Sequence, residues 1–397
     1  GVCGTLGFGS IPSAGTKKMN KDNKLVPGLP SGFEDRWGKK ILLKKKLLNA
    51  IEKNFIKFGA EALETPSFEI SENIGSFLAE DDANPMSDVF SFEDGDKSIT
   101  LRYDLSSPLA RFYAQNNQEL PSIFKRYQIQ NVFRNEKAGN GRYREFMQAD
   151  FDIVGNINPA QANAELCNLI SSTLLDCGLK KNQFTINVSN RKIVQGLIDE
   201  LKISEEKKIK VIRAIDKLDK PGFGLKGVEA LLKKERKDQS GAVTKGANLT
   251  NEQSEEILNF LKIKDLKELK QTLKNSLSQE GIKELEDVFE ILGYGSNLKQ
   301  VKTNFTIVRG LAYYSDFIVE TNLNFKVTNN KGKEVDIGSV CSGGAYAKLI
   351  SRFKGVDVPG TGISFGVDRL LFALSQLNQI KVEDQKPVMV CVMDQKY

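Results

Sequence analysis

Residues 129–133, Ile-Gln-Asn-Val-Phe, form an apolar run that enters a polar loop punctuated by Gly139 and Gly141. The chain then returns in strict alternation. Phe146, Gln148, Asp150 and Asp152 fall on one side, and Met147, Ala149, Phe151 and Ile153 on the other. A side-chain period of two predicts a strand, and two such runs around a loop predict a β-hairpin with a long tip. That tip is rich in cations, with Arg134, Arg142 and Arg144 at or near it. A guanidinium stays charged at any working pH and offers a planar fork of donors suited to phosphate. Gln148 and Asp152, two strand positions of the same parity, are expected to point from one sheet face towards the same ligand. A surface hairpin with solvated charges accounts for one arginine. It accounts poorly for several arginines, an aromatic and inward polar residues at fixed strand spacing.

With 397 residues the chain has room for two or three domains and a large core. Hydrophobic and charged contents of 40% and 27% are ordinary for a globular protein, and no apolar run reaches membrane-spanning length. The net charge of +6 permits a polyanionic partner without demanding one. Five scattered cysteines include no Cys-x-x-Cys pair, which points to a reduced, cytoplasmic protein without a thiolate metal site. Histidine is absent altogether. Serine–histidine triads, histidine-ligated zinc and a histidine general base are thereby excluded. Any chemistry must run on carboxylates, cations, hydroxyls and binding geometry.

Phe133-Arg134-Asn135-Glu136 followed by Gly141-Arg142-Tyr143-Arg144-Glu145-Phe146 resembles the second signature motif of class II aminoacyl-tRNA synthetases in its histidyl form. Other segments carry the same resemblance in order. A helix expected over residues 37–58, with Trp37, Ile41, Leu48, Ile51, Phe55 and Phe58 on its apolar face, is stopped by Gly59. The strand expected over 64–69 after it contains Pro66, and the pair resembles the first motif, which in the family forms a dimer interface. A strand over 99–103 leads to Asp104 and a helix that Ser106 or Ser107 could cap, with Pro108 in its first turn. Residues 102–111 resemble the segment that holds the substrate's α-amino group. The run 309–315, Arg-Gly-Leu-Ala-Tyr-Tyr-Ser, and the Gly-Gly-Ala-Tyr-Ala run at 343–347 resemble histidyl-specific signatures. Ala312 stands where many members have an acidic residue, and Ala345 and Ala347 where Arg and Asp flank the tyrosine. Gly360 to Leu370, a Gly-rich strand turning into a helix with Arg369, resembles the third motif.

Between these segments, residues 162–177 read as helix and 184–188 as strand. From about Lys202 lysine-rich helices without strands predict an inserted domain, and strand pattern resumes at 305–308. Residues 201–250 carry 13 Lys and Arg against 7 Asp and Glu, and 251–300 carry 7 against 10. Only the first half is therefore basic enough to meet tRNA phosphates. The expected organisation is a non-native extension over 1–18, with Met19 as initiator, and catalytic parts over 19–200 and 301–385. A helical insertion over 201–300 separates those parts. The resemblance implies that the apolar run 387–393 opens an anticodon-binding domain, expected to be truncated, over 386–397.

The resemblance implies an α+β fold, a mixed, mostly antiparallel sheet flanked by helices with an inserted helical domain. It implies ligation of L-histidine to tRNA(His) through a histidyl-adenylate, with ATP and Mg2+, by a homodimer with no membrane partner. Arg134 and Arg309 would act at the α-phosphate, and Arg142 and Arg369 towards the γ-phosphate. Phe146 would stack on adenine, with Glu136 and Tyr143 completing the ATP site. Asp104, Ser106, Gln148, Asp152, Arg309, Tyr313, Tyr314 and Tyr346 would hold histidine, and no residue is assigned to a metal. Two other classes stay open. One is a non-catalytic histidine-binding paralogue that regulates ATP phosphoribosyltransferase, and the other is a different class II ligase.

Overall fold

The computed structural model describes residues 27–74, 89–136, 139, 141–219, 222–237, 243–293, 298–308, 314–329, 332–377, 379–380, 389 and 391. An eight-stranded sheet lies at its centre. In chain order its strands are β1 (Glu61–Ala62), β2 (Ile123–Phe133), β3 (Glu145–Gly155), β4 (Phe184–Asn190), β5 (Val301–Thr303), β6 (Phe317–Leu323), β7 (Ser339–Ala345) and β8 (Gly360–Gly366). Across the sheet the order is β1-β2-β3-β8-β7-β6-β4-β5. The two outermost pairs are parallel and the interior pairs antiparallel, which is the mixed, mostly antiparallel sheet expected.

The larger helices are α1 (Lys39–Lys57), α2 (Ser106–Asn116), α3 (Pro159–Asp176), α4 (Arg191–Glu200), α5 (Glu205–Ile215), α6 (Gly224–Lys233), α7 (Asn251–Phe260), α8 (Leu266–Thr272), α9 (Ser276–Gly293), α10 (Ala347–Lys354) and α11 (Val367–Gln376). Alternation along β3 assigns them to faces. Phe151 and Ile153 join the main core with Phe55 of α1, Leu166 of α3 and Leu370 of α11. Val154, one residue on, joins a second cluster with Leu109 of α2 and Leu349 of α10. Neighbouring strand residues point to opposite faces, so the two clusters lie on opposite sides of the sheet. Gln148, Asp150 and Asp152 share the parity of Val154 and therefore face the side of α2 and α10. The predicted hairpin is β2 and β3, with Gln130 opposite Gln148 and Arg126 opposite Asp152. Its tip closes where the Arg134 N–H donates to the Arg144 carbonyl at 2.8 Å.

Several local expectations give way to specific competitors. Trp37 is 83% exposed, because Gly38 takes a φ of +59° and α1 begins only at Lys39. Lys44, on the same helix, is buried instead. Neither Ser106 nor Ser107 caps α2. The Asp104 carboxylate does so, accepting from the N–H and hydroxyl of Ser107 at 3.2 and 3.3 Å. Pro66 lies between β1 and a short strand, Phe68–Ile70, which belongs to a separate three-stranded sheet with Lys97–Leu101 and Ser91–Asp94. The strand expected at 305–308 sits at Val301–Thr303, where Asn304 ends it by accepting from the N–H and hydroxyl of Thr306 at 3.1 and 2.6 Å. The lysine-rich stretch is not strand-free, since Glu235–Lys237 pairs with Val243–Lys245. Within it α9 packs on α3 and α4, where the Ser278 hydroxyl donates to the Ile193 carbonyl at 2.9 Å. The extension before residue 27 lies outside the described residues, as does the apolar run at 387–393 apart from Met389 and Cys391, both exposed.

The glycines of β8 serve the site-facing side of β3. Gly362 lies opposite Asp152 and Gly360 opposite Val154. A Cβ at Gly362 would stand 1.9 Å from Oδ1 of Asp152, and one at Gly360 would stand 2.8 Å from the Tyr346 ring. These glycines make room for the protein's own side chains. Gly362→Ala is expected to lower unfolding stability by about 1–3 kcal/mol, the usual cost of overpacking. A denaturation midpoint equal to wild type would show that Asp152 can move aside.

Candidate active site

The open face of β3, β8, β7 and β6 walls a cleft of about 310 Å³. Of the residues singled out in the sequence, Asp104, Ser106, Arg134, Glu136, Arg142, Tyr143, Phe146, Gln148, Tyr314 and Arg369 line it. Asp152 and Tyr346 do not. Asp152 is taken by the protein itself, with Oδ2 lying 2.8 Å from Nη2 of the fully buried Arg126, and Oδ1 accepting from the Tyr346 hydroxyl. Arg309 and Tyr313, with Ala312 between them, lie outside the described residues.

The cleft has a cationic and an anionic end. At the cationic end Arg134, from the hairpin, stacks its guanidinium 4.3 Å from the Tyr103 ring centre and 5.2 Å from that of Phe146. Its Nε donates to the Tyr103 carbonyl at 3.2 Å. Arg369, in the first turn of α11, donates to the Ser339 carbonyl. Burial, then the nearby Arg142 and Arg134, push its pKa down to about 10, against the pull of Glu136 and Glu320. Three guanidiniums crowded closely enough for two of them to depress the third make this end suited to an anion.

Asp368 fixes this end. Its carboxylate accepts from the Met147 N–H at 2.8 Å, between Phe146 and Gln148 on β3. It also meets Arg36 at 3.2 Å and Lys44 of α1 at 3.7 Å. One side chain thus links the hairpin, the first helix and the helix carrying Arg369. Arg36 in turn lies 5.1 Å from the centre of the Tyr143 ring, whose hydroxyl burial and Glu34 push up to about 12.

At the other end Asp104, Ser106, Gln148, Asp150, Tyr314 and Ser364 converge. Burial, Asp152 and Asp104 push the Asp150 carboxyl up to about 7, while Arg126 and Ser364 oppose the shift. Burial and the same three carboxylates hold the Tyr314 hydroxyl well above its ordinary value. This end suits a ligand that brings positive charge and N–H donors.

Sequence reasoning passed over Asp150, Ser364, Glu320 and Asp368 as site residues. Asp150 carried a usable signal, since it shares the strand parity of Gln148. Glu320 carried none, because its place depends on β6 lying beside β7.

A family model for histidyl-tRNA synthetase matches residues 32–370. A histidine–tRNA ligase of Pelagibacter ubique is 78% identical over 379 residues, covering 96% of this chain and 82% of the relative. One of Rhizobium leguminosarum is 41% identical over 391 residues, covering 95% and 76%. The crystal structure of histidyl-tRNA synthetase from Nostoc sp. PCC 7120 superposes with a TM-score of 0.71 at 29% identity, over 90% of this chain and 77% of that one. A Bacillus halodurans structure, described as an ATP phosphoribosyltransferase regulatory subunit/histidyl-tRNA synthetase, shares the fold at 20% identity, with a TM-score of 0.70 over 87% and 83% of the chains. The chain belongs to the histidyl-tRNA synthetase family.

Proposed function

We propose that this protein joins L-histidine to tRNA(His) in two steps that share the cleft. A histidine carboxylate oxygen attacks the α-phosphorus of ATP, and the bond to the bridging oxygen of pyrophosphate breaks. A terminal ribose hydroxyl of the tRNA then attacks the carbonyl of the histidyl-adenylate, and AMP leaves. The observation that carries this reading is the pairing of three mutually crowded arginines with two buried carboxylates at opposite ends of one cleft. The arginines suit a triphosphate, and a module that only bound histidine would have no use for them.

The substrate carboxylate is already a nucleophile, so the first step needs no protein base. The chain contributes position and charge, and these supply most of the rate enhancement in such reactions. Arg134 takes the α-phosphate side, and Arg142 and Arg369 the γ-phosphate side. Phe146 offers its ring to adenine, and Glu136 and Tyr143 border the nucleotide. Asp104 and Ser106 meet the ammonium group, and Gln148 and Tyr314 border the amino acid. Arg309 and Tyr313 are proposed for the substrate from their motif. Mg2+ is proposed only as the ion that accompanies ATP. Among the described residues no group of three His, Cys, Asp or Glu side chains could hold a metal, so no step is routed through one.

The helices over 201–300 are proposed as an inserted domain whose basic first half meets tRNA phosphates. A homodimer is proposed through the face of the small sheet, where Phe68 and Phe92 meet edge to face with ring centres 5.6 Å apart while about half exposed. No described helix is long and apolar enough to cross a membrane, and a cytoplasmic location is proposed.

Histidine-dependent exchange of pyrophosphate into ATP tests the reading. Arg369→Ala is expected to lower exchange by roughly 100-fold or more, in the range for loss of one preorganised charge-stabilising donor. Its melting temperature should hold, since the change relieves like-charge crowding. Near-normal exchange would remove Arg369 from the mechanism. Wild-type protein without histidine-dependent exchange would sink the function itself.

A further inference from the structure

Tyr314 lines the anionic end of the cleft, and the main chain that carries it is held from outside the cleft by the first turn of α4. We propose that Lys192 is a positioning residue for the amino acid: it ties Asp316, and with it residues 314–316 and the Tyr314 ring, to the long helix α9. This deepens the function proposed above and rests on it.

The N-terminus of a helix favours acidic side chains. The first turn of α4 has none and begins with Arg191 and Lys192. Both cations serve residues 314–316. The Arg191 main-chain N–H donates to the Asp316 carbonyl at 2.9 Å, and its guanidinium donates to the Tyr314 carbonyl. Nζ of Lys192 lies 3.2 Å from Oδ1 of Asp316, whose Oδ2 accepts from the Ser315 hydroxyl at 2.6 Å. On the other side the Ser315 N–H donates to the Ala345 carbonyl of β7 at 2.9 Å. The segment is thus fastened between α4 and β7. A Cβ at Gly344 of β7 would stand 3.3 Å from Cδ1 of Tyr314. The ring therefore rests against bare main chain, and its place follows from the segment that carries it.

The anchor is close-packed. The Lys192 ammonium also meets Glu280 at 2.7 Å and Glu284, both on α9. Asn190, just before α4, donates to Glu284 at 2.6 Å and accepts from the Lys192 main-chain N–H at 3.0 Å. The two helices approach through glycines. A Cβ at Gly281 would stand 3.0 Å from Cβ of Lys192, and one at Gly196 would stand 2.2 Å from Oγ of Ser278. The Lys192 side chain is 17% exposed. Burial lowers its proton affinity, but Glu280, Glu284 and Asp316 outweigh burial and hold the ammonium above its ordinary value. An isolated exposed pair would fix little. A mostly buried cation shared by three carboxylates, two on the anchor and one on the segment, fixes the distance between them.

Asp316→Asn is the informative variant, because it cuts the link to the segment and leaves the contacts of Lys192 with α9. In histidine-dependent pyrophosphate exchange its KM for histidine should rise roughly 3- to 10-fold, the scale of one hydrogen bond, while KM for ATP stays within about twofold. Lys192→Met should raise KM for histidine at least as much, and the double variant no further than Lys192→Met alone, since both changes break one contact. An unchanged histidine KM in Asp316→Asn overturns the proposal. Equal rises in both KM values overturn it too, because they mark a general structural role. So do multiplying effects in the double variant, which mark independent ones. If Lys192→Met fails to fold, Asp316→Asn decides alone.

Amide hydrogen exchange of the unliganded protein reads the positioning without the reaction. In Asp316→Asn the Ser315 N–H should exchange roughly tenfold faster, while amides within β4 keep their wild-type rates. A Ser315 rate equal to wild type overturns the proposal whatever the kinetics. Wild-type protein inactive with histidine would count against the function, and the Ser315 rate would still decide whether this contact holds the segment.

Discussion

A single buried ion pair underlies both the fold and the site. Arg126 is fully buried, and Asp152 nearly so. Desolvating two such charges costs several kcal/mol each unless each is paired and hydrogen-bonded, by order-of-magnitude reasoning. Here the two charges are paired with each other and with neighbouring polar groups, although among the described residues Nε of Arg126 has no hydrogen-bond partner. Arg126 meets Asp152 at 2.8 Å, the Gln128 side chain at 3.1 Å and the Leu105 carbonyl at 3.1 Å. Tyr346 donates to the remaining oxygen of Asp152. Leu105 immediately precedes α2 and Tyr346 immediately precedes α10, so one guanidinium and one carboxylate set where two helices leave the sheet. Gly360 and Gly362 are the steric condition for this arrangement, because a side chain at Gly362 would meet Asp152 and one at Gly360 the Tyr346 ring.

The cationic end is held by the same logic with the opposite outcome. Arg134, Arg142 and Arg369 repel one another, and packing around them bears that cost until an anion arrives. Asp368 borders the same cleft. It draws its compensation from Arg36 and Lys44 and its place from the Met147 N–H. The burial of Lys44 in a lysine-rich helix follows from this one carboxylate. A surface-facing lysine at that turn would leave Asp368 with less charge to balance it.

What could be read from the sequence divides along the range of the interactions involved. The hairpin was legible because a period of two is local, and the mixed, mostly antiparallel sheet followed from the family resemblance of the motifs strung along it. The gathering of Arg134, Arg142 and Arg369 was legible for the same reason. That Asp150 lines the cleft while Asp152 is paired inside the protein was not. Both have the same parity and the same chemistry, and what distinguishes them is the pairing of Asp152 with Arg126, 26 positions earlier, and with Tyr346, 194 positions later, which no local pattern connects to it. Trp37 was misplaced because a helical wheel cannot see that Gly38 leaves the helical region. Asp104 was read as a ligand or a flanking charge, and its side chain proves to be the cap of α2 as well as a wall of the cleft.

The two ends of the cleft bear on how a chain without histidine can handle histidine. An imidazole in the protein would compete with the substrate for the same carboxylates and would titrate near the same pH. Carboxylate, amide and hydroxyl acceptors avoid that competition, and they discriminate by the cost of being left unpaired. The arginine end works by the same asymmetry, since its charges are unfavourable together until phosphate oxygens separate them. On the proposed reading, both substrates bind to groups that the fold alone holds in an unfavourable arrangement. Relief at each end then waits on its own ligand, the N–H-bearing amino acid at one and the triphosphate at the other.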